Sequence, residues 1–103
     1  MAESQLKIVE GSALTAQQKK DLLNRLARIE GQLRGVQKLV ALAAEPSDID
    51  AVAQQMAAAR KALDRSFVQL LTASIQTQAG NAADLEEARA RAAHLAAMLD
   101  KFA

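Results

Sequence analysis

The stretch LLNRLARIEGQLRGVQKLV (Leu22–Val40) decides the fold. Its apolar positions Leu22, Leu26, Ile29, Leu33, Val36 and Val40 recur at spacings of four and three, which lines them up as one narrow stripe along an α-helix. Just upstream, Thr15-Ala-Gln-Gln18 fits a capping box, in which Thr15 and Gln18 satisfy free amides at a helix start. Downstream, Glu45-Pro46 stops the helix, because the residue before proline avoids the α region. The same stretch holds an oddity. Gly31 and Gly35 sit one turn apart inside the helix, each costing it up to about 1 kcal/mol relative to alanine. At about 100° per residue they project nearly opposite the stripe, in line with Asn24 and Arg28 and flanked by Lys20, Arg34 and Lys38. Three readings stay open for them: a second, close helix–helix contact; close approach of a phosphate backbone, with Arg28, Arg34 and Lys38 supplying charge; or an indifferent solvated face.

Working outward, Ser47-Asp-Ile-Asp50 reads as the cap of a second helix with acids in its first turn. Its stripe runs Ile49, Val52, Met56, Ala59, Leu63, Phe67, Leu70, and Ser74 and Gln78 continue it in polar form. Gly80 ends that helix and Asn81 caps a third, with Leu85, Ala88, Ala92, Leu95, Leu99 and Phe102 at the same spacing. Residues 1–14 lack periodicity and are expected to form a flexible arm; 15–103 form a single helical domain. The first two helices, at roughly 30 residues each, are on the order of 45 Å long, whereas a compact monomer of this length has a radius of gyration of only about 13 Å. Such rods cannot bury their stripes by folding on themselves. The expectation is an all-α, three-helix subunit in an obligate oligomer, most simply a dimer forming an antiparallel four-helix bundle.

Composition agrees. Of the 103 residues half are apolar but only 2% aromatic, with no strand-forming runs. The net charge is +1, yet from Thr15 to Val40 six basic residues (Lys19, Lys20, Arg25, Arg28, Arg34, Lys38) face two acids, Asp21 and Glu30. That asymmetry points to a polyanionic partner for the first helix. The absence of cysteine excludes disulfides, thiolate metal sites and cysteine nucleophiles. No secretory signal or membrane-length apolar run is visible, so a soluble cytoplasmic protein is expected. No nucleophile–base pair, metal motif or phosphate loop is visible either, so neither an enzyme nor a cofactor is expected. His94, the single histidine, reads as an ordinary surface or edge residue, and Met56 and Met98 as core filling.

RxEGQxRGxQ within Leu22–Val40, followed by AxRKALD within DIDAVAQQMAAARKALDRSFVQLL (Asp48–Leu71), resembles the copper-sensitive operon repressors, the CsoR/RcnR type, over roughly residues 15–100. The resemblance implies three-helix subunits, four-helix-bundle dimers, often a dimer of dimers (a homotetramer), and binding of double-stranded operator DNA through basic patches. It assigns Arg25 and Arg65 to DNA, a patch that Arg28, Lys20, Lys19, Arg60 and Lys61 extend, with Arg34 and Lys38 further along the first helix. Arg60 leans toward the apolar stripe and is equally open to a packing or inter-subunit role. The departures concern the sensor. Where the family's copper sensors carry a Cys, a His and a second Cys, this chain has Asp48, Ser74 and Gln78. Its nickel/cobalt, formaldehyde and persulfide branches also require Cys. Glu86 and Glu87 lie near the family's metal-sensing acid and read instead as first-turn acids favoured by the helix dipole. The expected function is therefore a DNA-binding transcriptional repressor without the family's metal or thiol chemistry and with an unknown inducer. The alternatives are a helical adaptor without DNA binding, or a repressor answering to a small organic ligand at Ser74 and Gln78.

Overall fold

The computed structural model describes residues 6–102; the start of the expected arm, residues 1–5, lies outside the described residues. Three helices follow: α1 (Ala16–Leu42), α2 (Asp48–Gly80) and α3 (Leu85–Phe102). No strand occurs among the described residues, so the all-α expectation holds.

The start of α1 is the capping box read from the sequence. Gln18 N donates to Thr15 Oγ1 (3.1 Å) and Thr15 N to Gln18 Oε1 (2.8 Å). The second helix starts after Ser47 and ends at Gly80, as read from the sequence, but the end of α1 and the capping residues differ from expectation. α1 ends at Leu42, short of the proline, with Ala43 N bonded to Val40 O. Ser47 has helical angles (φ −65°, ψ −21°) and makes no capping bond with its side chain. The chain enters α2 through a tight turn in which Asp48, Ile49 and Asp50 amides already find Glu45, Pro46 and Ser47 carbonyls, so few free amides are left for a serine to cap. Asn81 closes α2 rather than opening α3: its Nδ2 donates to Thr77 O (2.8 Å). Asp84 opens α3, accepting from Glu87 N (2.8 Å) while Glu87 accepts from Ala83 N (2.9 Å).

α1 and α2 form an antiparallel hairpin, and α3 returns along the C-terminal part of α2. The result is a slab of 60 × 32 × 12 Å with a radius of gyration of 17.9 Å, well above the roughly 13 Å of a compact chain this long. The seam between helices is narrow. It buries Ile29 and Val36 from α1, Val52, Ala59 and Leu71 from α2, and Leu95 from α3, with the small polar Ser66, Ser74 and Thr77. The rest of the stripes faces outward: Leu33, Val40, Ile49, Met56 and Leu63 are all about half exposed, at 47–57%. Met56 is thus not core within one subunit. Phe67 and Phe102 meet edge-to-face at 6.4 Å beside Leu22, Leu26, Leu63 and Leu70 on this face. Residues 6–14 carry no helix; Lys19 Nζ donates to Val9 O, and Leu6 lines an apolar cleft together with Leu23, Leu26 and Leu33.

Candidate nucleic-acid interface

The hairpin's opposite face is polar. Arg25, Arg28 and Gln32 follow one another at helical spacings of three and four on α1, just beside the buried Ile29. Across the seam, Arg65 and Gln69 lie one turn apart on α2. Antiparallel pairing brings the two sets to the same side. Arg25, Arg28, Gln32 and Arg65 line a cleft of about 380 Å³ with Ile29, Ala62 and Ser66. A second cleft of about 260 Å³, lined by Asp21, Asn24, Arg25, Arg28 and Gln69, lies beside it and shares both arginines.

The electrostatics of this face are unbalanced. Among the described residues the ion pair is Arg91–Glu87, on α3, and none involves Arg25, Arg28 or Arg65. Asp21 already accepts from Gln17 Nε2 within its own helix (2.9 Å). Gln69 Oε1 is buried without a hydrogen-bond partner. Sequence reasoning missed Gln32 and Gln69; the signal available was their four-residue spacing from Arg28 and Arg65, which places them on the same helix faces.

The other basic candidates stand elsewhere. Lys19 is seven residues from Leu26 and so shares its side of α1, where it binds Val9 O. Lys20, Arg34 and Lys38 lie along the outer crest of α1, exposed. Arg60, seven residues before Phe67, sits on the apolar side of α2, and Lys61 on its outer crest, both exposed. At Gly31 and Gly35 an added methyl would meet nothing within 4 Å, so nothing inside the subunit requires glycine there.

The positions that the resemblance assigns to the sensor are separately engaged. Asp48 Oδ2 accepts from Ala44 N and Glu45 N, each at 3.0 Å, and these two amides hold its carboxyl below the usual range. Ser74 is buried and Gln78 half-buried near the other end of α2, on the order of 40 Å along the helix from Asp48. Glu87 is likewise held below the usual carboxylate range, first by the Ala83 amide and then by Arg91. His94 is exposed. No cluster of three or more His, Cys, Asp or Glu side chains suited to a metal ion occurs among the described residues.

No curated protein and no solved structure matches the chain. The family model for metal-sensitive transcriptional repressors matches residues 18–101, which takes in all of the hairpin but the first two residues of α1, and nearly all of α3. On that match, the chain belongs to the family of metal-sensitive transcriptional repressors.

Proposed function

We propose that this protein represses transcription by binding double-stranded DNA as a homo-oligomer, with Arg25, Arg28 and Arg65 as its central phosphate contacts. The observation that carries this reading is the cleft in which these three guanidiniums stand together, without a carboxylate partner, on the face opposite the exposed leucines. In a two-fold assembly built on the leucine face, every copy turns its arginine cleft outward, and the copies together engage a pseudo-palindromic operator. Lys20, Arg34 and Lys38 on the outer crest of α1 extend the basic surface beyond the cleft. Aromatic residues are absent from this face, so base stacking on single strands is disfavoured.

The family description names metal sensing, and the residues at the sensor positions do not fit a soft metal ion. The chain has no cysteine; Asp48 is held by two loop amides; Ser74 and Gln78 offer a hydroxyl and an amide, neither of which selects Cu(I). The repressor reading therefore involves no metal step.

The test is charge reversal. Arg25→Glu with Arg65→Glu abolishes retention of a duplex spanning the protein's own promoter, while helicity and oligomer size stay unchanged. Arg28→Ala lowers the slope of log affinity against log salt by about one for each phosphate that the guanidinium neutralised. Equal DNA retention by wild type and the double variant would place the DNA contacts on other residues; no retention by either would favour the adaptor.

A further inference from the structure

The arginine cleft has a property that duplex binding does not require: it is concave within a single subunit. A duplex backbone is broad and convex and sends only isolated phosphates into such a site. A cleft of about 380 Å³ lined by three arginines matches instead the lower part of the range typical of small-molecule sites, about 300–1,000 Å³. Each guanidinium is a planar fork able to grip a phosphate or carboxylate through two parallel hydrogen bonds. Two come from α1 and one from α2, so a compact anion is gripped from both sides of the seam. Gln32 adds a side-chain amide at the rim, and the buried Ile29 lines the cleft beside these groups. Asp21, the acid that lines the neighbouring cleft with Arg25 and Arg28, is hydrogen-bonded to Gln17.

We propose that this cleft binds a small polyanion carrying two or more phosphate or carboxylate groups, and that such an anion releases DNA by occupying the same arginines. The anion site stands on the cleft alone; the release of DNA rests on the repressor reading above. Small ligand and duplex exclude one another because both need Arg25, Arg28 and Arg65. An effector of this class needs no cysteine or histidine, which suits a chain whose sensor positions hold Asp48, Ser74 and Gln78.

The experiment titrates the full-length protein with inorganic pyrophosphate, and separately with citrate, at ionic strength held constant with sodium chloride, because chloride alone screens arginines and weakens DNA binding. Calorimetry and backbone amide shifts report binding; retention of the promoter duplex reports competition. The expected result is saturable binding at one site per subunit, with the largest shifts around residues 25–32 and 62–66. Arg28→Ala and Arg65→Ala each weaken it roughly tenfold, the loss of one charge-assisted pair. Arg89→Ala, on α3 outside the cleft, leaves it within about twofold. All three variants replace exposed residues, and circular dichroism checks that they remain helical. Pyrophosphate and citrate together tell whether phosphate is required or any polyanion suffices. A non-saturating response equal to that of chloride, or equal losses in Arg89→Ala and Arg65→Ala, overturns the proposal. Saturable anion binding by a protein that retains no DNA keeps the anion site and sinks the repressor reading; DNA retention indifferent to an anion that binds saturably keeps both and overturns the release of DNA.

Discussion

The two broad faces of the α1–α2 hairpin are built on the same backbone and differ in almost every chemical respect. One presents Leu33, Val40, Ile49, Met56 and Leu63, all about half exposed. The other presents Arg25, Arg28, Gln32 and Arg65 around an open cleft. Between them runs a seam of small and medium side chains, Ile29, Val36, Val52, Ala59 and Ser66, enough to hold two helices side by side but too thin to be a core. An apolar face of that size in water is unfavourable, while guanidiniums lose little by staying wet. The difference carries the proposed arrangement, in which association would hide the leucines and leave the arginines outside.

The hardest way to break this comparison is to put a charge on the leucine side. Leu63→Asp places a carboxylate in the proposed seam twice per two-fold interface, costing at least several kcal/mol; sedimentation should show subunits, with helicity reduced. An unchanged oligomer would mean that copies meet elsewhere. A smaller effect sharpens the outer side. Gly31→Ala and Gly35→Ala, which meet nothing within the subunit, should each raise thermal stability by up to about 1 kcal/mol. If either also weakens DNA retention or reduces the size of the oligomer, a neighbour approaches that crest closely. If stability alone changes, the crest is plain solvent-facing helix. The smallest effect belongs to neither face. Asp48 binds its loop amides as a carboxylate, with a folded-state value lower than the unfolded one. Its contribution is therefore complete above the unfolded value and fades as acid carries the pH down through the folded value. Asp48→Asn should reduce the melting temperature at neutral pH and leave it nearly unchanged near the acid limit of stability, as read from thermal melts across pH.

Much of the architecture was legible in the residues alone. The four–three spacing gave the helices, and Thr15 with Gln18 gave the start of α1 to the residue. What spacing cannot say is which part of a stripe meets its own chain and which part meets another. Met56 and Ile49 carry the same signal as Val52 and Ala59, yet the first two face out and the last two lie in the seam. The close approach of α1 and α2 favours short side chains there, and that preference is a property of the pair of helices, invisible in either alone. Capping misled for a similar reason. Ser47 and Asn81 have suitable side chains, but the amides after Ser47 already bond to carbonyls of the turn, and α3 starts only at Leu85, where Asp84 accepts from the Glu87 amide. In the candidate site, Arg25 and Arg65 rested on family resemblance; their convergence with Arg28 required knowing that the helices run antiparallel in this register.

Gln18 does more than complete a cap. Its Oε1 accepts from Thr15 N and also from Thr77 Oγ1 at 2.7 Å, and its Nε2 reaches Ala73 O at 3.5 Å. One amide thus serves as a latch between the beginning of the hairpin and its far end, fifty-nine residues later. Fraying, which ordinarily starts independently at each helix terminus, has to undo both together here. The α2 segment around Ser74 and Gln78 is thereby tied, through Ala73 and Thr77, to the first turn of α1, two turns before Arg25.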